Sequence, residues 1–183
     1  IILGDQLSLE ISSLKKIRKN EDKILMMEVS NEIEYANHHK KKLVLIFSAM
    51  RHFANELKKN GFDITYVEFD KSEENFTKEL ERQCKKFNPK SIKITHPSEY
   101  RVLDEVKKWE KVLGITVTVL EDSRFFCKMD EFSDWANSRK ELKMELFYQK
   151  MRKKYNILMD NEGKPVGGKW NYDIKNRNRL PKN

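Results

Sequence analysis

Short apolar runs alternate with helix-periodic segments over residues 1–120, and this alternation narrows the possible folds sharply. The apolar runs cover residues 1–3, 23–29, 62–69, 91–95 and 115–120. Between them, helical patterns occupy residues 7–14, 33–60, 75–87 and 98–113. Strands that alternate with helices form right-handed βαβ units. The sequence therefore predicts a Rossmann-like α/β fold with a doubly wound, five-stranded parallel sheet.

The pattern changes after the fifth predicted strand. Helical spacing predicts two extra C-terminal helices at residues 130–138 and 141–155, and several glycines and a proline then break regular structure. We therefore expect an α/β domain over residues 1–157 and an irregular interdomain arm over residues 158–183. The sequence begins inside a predicted strand and without methionine, so we expect it to be a piece of a longer chain.

Composition limits the possible partners and compartments. With 37 basic and 29 acidic residues the net charge is +8, which favours a polyanionic partner such as nucleic acid. A solvated, lysine-rich surface explains the same charge. The two cysteines, Cys84 and Cys127, are too few and too far apart for a zinc site or a disulfide framework. Because no apolar run approaches the ~20 residues of a membrane span, we expect a monomeric, cytoplasmic protein without membrane contact or bound metal.

Polar residues follow the first two predicted strands, at the edge where open α/β sheets bind ligands. Gly4, Asp5 and Gln6 follow the first strand, and residues 28–32 follow the second. The next helical pattern adds a stripe at spacings of three and four: Glu32, Tyr35, His38 or His39, Lys42 and Ile46. Carboxylate, phenol and imidazole groups beside an apolar wall suit a planar heteroaromatic ligand. Alternatively, Asp5 caps the following helix and the histidines are solvated.

Other chemistries have weaker signals. The chain has neither the GxGxxG of a classical dinucleotide site nor the GxxxxGK[ST] of a P-loop. It also lacks HxxxH and HExxH, which makes a metal site at His38 and His39 weak. A Ser-His-Asp triad stays compatible with the composition, although no GxSxG follows a strand. A small nucleotide-dependent enzyme is the weakest alternative, and we assign no catalytic residue.

The C-terminal segment combines glycines, aromatic residues and cations. Lys169, Arg177 and Arg179 are candidate nucleic-acid contacts on this arm, and Trp170 is a candidate for stacking on a base. Under the alternative interpretation, Trp170 and Tyr172 anchor the arm to a neighbouring domain. The chain is then either a ligand-binding domain or a nucleic-acid-binding module that acts through its basic C-terminal helix and arm.

Several blocks of the sequence resemble photolyase-related proteins, the prokaryotic iron–sulfur branch of the cryptochrome/photolyase family. These blocks are LGDQLS at residues 3–8, HHKKK at 38–42, FSAMRHFA at 47–54 and PVGGKWN at 165–171. Residues 145–152 also resemble that family's ME-FYR-MRR segment, with Gln149 where arginine is commoner. The resemblance runs along essentially the whole chain and covers the amino-terminal region of the family.

This resemblance implies an antenna domain of the photolyase amino-terminal type. Full-length members use FAD and light to repair (6-4) lesions in DNA, and their amino-terminal domain carries an antenna such as 6,7-dimethyl-8-ribityllumazine. The implied antenna pocket consists of Gly4, Asp5, Glu32, Tyr35 and His38. The family's helical domain, with FAD and the iron–sulfur cluster, would lie beyond Asn183. We therefore expect this chain alone to be inactive, with that helical domain and, in the full-length protein, DNA as its partners.

Overall fold

A computed structural model describes residues 1–173, and the chain divides into two compact units, Ile1–Arg124 and Phe125–Asn183. Four strands lie in the first unit: β1 (Ile24–Met27), β2 (Ile64–Val67), β3 (Ser91–Thr95) and β4 (Thr116–Leu120). β1 pairs with β2 and β3 pairs with β4, in both cases parallel. The predicted α/β class with parallel pairing is confirmed. The predicted boundary between residues 157 and 158 stays a prediction.

The described residues form two two-stranded sheets, rather than the predicted sheet of five strands. The difference arises at residues 1–3, which do not form a strand. The Ile2 N–H donates to the Leu25 carbonyl at 3.1 Å, and the Ile1 amino group donates to the Lys93 carbonyl at 2.8 Å. Residues 1–3 thus make one hydrogen bond to β1 and one to β3, which is too few for a regular ladder. The segment makes no more such bonds because a turn begins at Gly4.

Five helices and a 3-10 turn (Phe69–Lys71) complete the first unit. The helices are α1 (Ser12–Lys15), α2 (Asn31–Glu34), α3 (Lys40–Lys59), α4 (Phe76–Phe87) and α5 (Tyr100–Leu113). The Asn75 side chain caps α4 by accepting from the Lys78 N–H at 2.9 Å. Left-handed residues end two helices, Asn88 at φ +46° after α4 and Gly114 at φ +65° after α5. These ends agree with the sequence prediction.

The predicted continuous helix over residues 33–60 is wrong, because the chain breaks between α2 and α3. His39 is extended (φ −65°, ψ 136°), and its Nδ1 accepts from the Lys41 N–H at 3.1 Å. A side chain that caps the first turn begins a new helix and does not continue an old one. His39 is therefore the N-cap of α3.

Apolar side chains cover both faces of β1, which explains its uninterrupted apolar sequence. Ile24 and Met26 belong to one core cluster with α1 and α3, in which Leu57 is fully buried. Leu25 and Met27 belong to the other cluster with α4 and α5, in which Trp109 is fully buried. Successive side chains of a strand point to opposite faces, so the two clusters lie on opposite sides of β1. The carboxyl end of β1 therefore lies between the helices of the two clusters.

The second unit contains α6 (Met129–Asn137) and α7 (Met144–Tyr155), close to the predicted helices. Trp135 is buried beside Phe132 and Phe147, with ring centroids 5.8 and 4.9 Å away. Within residues 1–173, no helix has both the length and the apolar character needed to cross a membrane.

Candidate functional site

A cavity of about 300 Å³ opens at the carboxyl end of β1, inside the first unit. Its lining includes all five residues predicted to bind a cofactor: Gly4, Asp5, Glu32, Tyr35 and His38. Much of the remaining wall is apolar and includes Ile46, Phe47, Met50, Phe76 and Val102. The volume lies at the lower end of the range for small-molecule sites. The structure brings the five residues together, and ligand binding by them stays a prediction.

Gly4 allows α3 to approach the loop closely. A Cβ atom at this position would lie 3.1 Å from the Met50 Sδ, tighter than most such contacts. The neighbouring Asp5 is exposed, and its carbonyl accepts from the Arg124 Nη1 at 3.1 Å. Asp122 holds Arg124 in turn through two short bonds, and this hydrogen bonding lowers the pKa of the Asp122 carboxyl. The loop is thus held from the end of β4.

Gln6 does not point polar groups at the cavity, contrary to the sequence expectation. Its side chain is fully buried, and its Nε2 donates to the Thr95 carbonyl at 2.9 Å and to the His96 carbonyl at 3.3 Å. Its Oε1 accepts from the Leu3 N–H at 3.3 Å. The residue therefore joins the loop to the end of β3 and is structural.

Because of the break before α3, the predicted stripe of residues does not lie on one helix, but its members still lie at the same cavity. Glu32 lies in α2, Tyr35 and His38 lie in the turn, and Lys42 and Ile46 lie in α3, yet all five line the cavity. His39 is not among the lining residues, because its ring caps the helix. Of the two histidines left open by the sequence, His38 is the one at the cavity.

Arg101 connects the polar residues on this side of the cavity. It donates to both carboxylate oxygens of Glu32, at 2.7 and 2.9 Å, and its guanidinium lies 4.3 Å from the centroid of the Tyr35 ring. Tyr35 meets His38 edge-on at 5.1 Å between centroids, and Lys42 Nζ lies 3.1 Å from His38 Nδ1. Hydrogen bonding to Glu32 raises the pKa of Arg101. Five side chains are thus connected, and all of them except Arg101 line the cavity.

Glu28 is a buried carboxylate in the cavity wall. Arg51 donates to it twice, at 2.8 Å each, the Phe69 N–H donates at 2.9 Å, and the Tyr66 hydroxyl donates a short bond. Burial raises the pKa of Glu28, but the bonds from Arg51, Tyr66 and Phe69 outweigh burial and hold it below its ordinary value. Burial, followed by the bond to Glu28, raises the pKa of Tyr66. These partners give Glu28 a structural role.

Sequence reasoning missed Arg101 and Arg124. They are 69 and 119 residues from the site residues that they contact, so no local spacing connects them. One signal was available, because each arginine follows a predicted strand: Arg101 comes after β3 and Arg124 comes after β4. Parallel strands end at the same edge, so polar residues after every strand belong to one candidate site.

The cavity combines an apolar wall with carboxylates, a phenol, an imidazole and one cation, Lys42. This arrangement can bury a planar ring system and hydrogen-bond its edges. Among the side chains of residues 1–173, no group of three or more His, Cys, Asp or Glu could hold a metal ion.

The candidate nucleic-acid residues fall partly outside the described chain. Arg177 and Arg179 lie beyond residue 173, whereas Lys169 is exposed. Trp170 packs near the cations of α7, with its ring centroid 5.1 Å from Arg152 and 5.3 Å from Lys153. Its ring is therefore engaged within its own unit, and no described contact favours the nucleic-acid alternative.

Comparison with known proteins extends these observations. Residues 1–183 match the family described as "Deoxyribodipyrimidine photo-lyase-related protein". The chain is 44% identical to a (6-4) photolyase of Agrobacterium fabrum over 179 residues, which is 97% of this chain and 35% of that protein. It is 26% identical over 144 residues to an uncharacterised protein of Acanthamoeba polyphaga mimivirus, covering 76% of this chain and 71% of that protein. The chain thus spans about a third of the length of the photolyase that it matches.

Proposed function

Because this chain belongs to the deoxyribodipyrimidine photolyase-related protein family, we propose that it is the amino-terminal antenna-binding domain of a longer, light-dependent DNA repair protein. Its similarity to a (6-4) photolyase supports repair of (6-4) lesions as the activity of that longer protein. The observation that carries the proposal is the convergence of Gly4, Asp5, Glu32, Tyr35 and His38 on one cavity.

The proposed ligand is a chromophore like 6,7-dimethyl-8-ribityllumazine. Its flat heterocycle would bury its faces against the apolar wall contributed by α3, including Ile46 and Met50. The carboxylates of Asp5 and Glu32 would accept hydrogen bonds from the donors of such a molecule. When bound, the chromophore would absorb light and pass excitation to the flavin of the longer protein.

We further propose that FAD and an iron–sulfur cluster bind outside this chain. A cluster of the usual type needs four cysteine ligands, and this chain has two cysteines. DNA binding and repair would then also require the remaining part of the protein. This assignment predicts that the chain by itself does not repair (6-4) lesions under illumination. Chromatography of lesion-bearing DNA, illuminated in the presence of the chain, measures the result.

Titration with ribityllumazine tests the antenna proposal. We expect fluorescence anisotropy of the chromophore to rise with protein concentration, and Tyr35→Ala to weaken binding because it removes one wall of the cavity. Tyr100→Ala is the matched control, since Tyr100 is 79% exposed and is not a lining residue. Constant anisotropy with both this folded chain and the longer protein would reject the proposal.

A five-stranded, doubly wound sheet is also proposed, with residues 1–3 as the strand between β1 and β3. The bonds from Ile2 to Leu25 and from Ile1 to Lys93 support this arrangement. Amide hydrogen exchange provides a test: protection of the Ile2 amide comparable to that of β1 supports a strand, and loop-like exchange contradicts it.

A further inference from the structure

Arg101 lies behind the candidate site and does not line its cavity. It begins the first turn of α5, a 14-residue helix that is anchored in the core by Val102, Val106 and Trp109. Its guanidinium makes two parallel hydrogen bonds to Glu32, and its Nη2 also donates to Glu99 at 3.1 Å. The Arg101 side chain is 35% exposed and that of Glu32 is 26% exposed, so the pair is partly shielded from water.

The segment that carries Glu32 has little packing of its own. Helix α2 has only four residues, none of which is buried, and Tyr35 in the following turn is 45% exposed. A helix this short is not stable through its backbone bonds alone. The orientation of Glu32 and Tyr35 must therefore come from contacts with a better-anchored element.

Arg101 makes both of those contacts. One edge of its guanidinium binds the Glu32 carboxylate, while its plane lies 4.3 Å from the centroid of the Tyr35 ring. Tyr35 in turn meets the His38 ring edge-on. Arg101 of α5 thus contacts Glu32 and Tyr35 directly and reaches His38 through Tyr35.

We infer that Arg101 is the positioning residue of this site, holding Glu32 and Tyr35 in the orientation that the ligand meets. The inference rests on the proposed function, because it concerns the same cavity. Arginine suits the role since its planar fork binds a carboxylate at two points while its face stacks on an aromatic ring. Lysine provides the charge but neither the fork nor the stacking plane.

A double-mutant cycle with ribityllumazine tests the coupling to Glu32. We expect Arg101→Met to weaken binding about tenfold, the lower end of the cost when a residue that orients ligand-binding side chains is lost at a metal site. Arg101→Lys should restore part of the affinity. In a Glu32→Gln background, Arg101→Met should cost clearly less than in the wild type. An equal cost in both backgrounds, or no cost in the wild type, would overturn the inference.

A second measurement on the ligand-free chain separates this inference from the proposed function. The edge contact with Tyr35 shifts the NMR signals of the His38 ring protons, and we expect Arg101→Met to move them towards solvent-exposed values. Arg18→Met is the matched control, because Arg18 is 63% exposed and lies outside the cavity lining. Lack of lumazine binding by both the wild-type chain and the longer protein would reject the proposed function alone. Unchanged His38 signals in Arg101→Met would overturn the positioning role.

Discussion

Replacing Arg51 with methionine tests the buried carboxylate at the end of β1. The Glu28 side chain is 0% exposed, and Arg51 supplies two of its four hydrogen bonds. Removing one partner of a buried ion pair typically costs about 3–5 kcal/mol. Because the Arg51 side chain is 49% exposed and the donors from Tyr66 and Phe69 remain, we expect the free energy of unfolding to fall by about 3 kcal/mol at pH 7.

The pH dependence of this loss follows from the pKa of Glu28. In the wild type that pKa lies below its ordinary value, so the carboxylate stabilises the fold above its unfolded pKa. This stability is lost as pH falls through the folded pKa. Without Arg51, burial would dominate and raise the pKa of Glu28. The destabilisation by Arg51→Met should therefore be smaller at pH 5 than at pH 7.

Urea unfolding followed by circular dichroism measures both effects. Arg18→Met is a suitable control, since Arg18 pairs with Asp22 at the surface, where an ion pair contributes little to stability. The m-value should be the same in the wild type and both variants if only stability changes. The reasoning is refuted if Arg51→Met costs no more than Arg18→Met, or if its cost is equal at pH 5 and pH 7.

Substitutions at three further positions test single residues. Gln6→Met should lower the free energy of unfolding, measured with urea, by about 2 kcal/mol, because it leaves buried backbone groups unpaired. A cost below about 0.5 kcal/mol would contradict this reasoning. Asn88→Ala should cost about 1 kcal/mol in the same assay while Asn88→Gly costs less, since φ is +46° there; equal costs would argue against a left-handed cap. Gly167→Ala should speed proteolysis of its loop, because φ is +81° there, a left-handed conformation that alanine rarely adopts; unchanged cleavage would count against this strain.

The matches with known proteins confirm the family that the sequence blocks indicated. The LGDQLS block illustrates why local sequence was informative, since a strand end, a glycine turn and a carboxylate follow one another directly. The block misled in one respect. Gln6 is polar, as a ligand-binding residue would be, but its side chain is buried and bonds to Thr95 and His96, about 90 residues further along the chain. Polarity alone does not reveal which way a loop side chain points.

The sequence by itself determined where β1 to β4 lie and that helices alternate with them, because periods of two and near 3.6 are local properties of the chain. It also determined Gly4, Asp5, Glu32, Tyr35 and His38 as candidates, since residues after parallel strands share one edge. It did not determine that residues 33–60 form two helices. Only the tertiary structure decided that His39 caps α3, that His38 lines the cavity, and that Arg101 of α5 and Arg124 after β4 contact residues of the site. The Arg101 and Arg124 contacts join residues 69 and 119 positions apart, and no periodicity or spacing encodes such contacts. The His39 cap is a local contact with the Lys41 N–H, but helical periodicity continues through it and does not reveal the break.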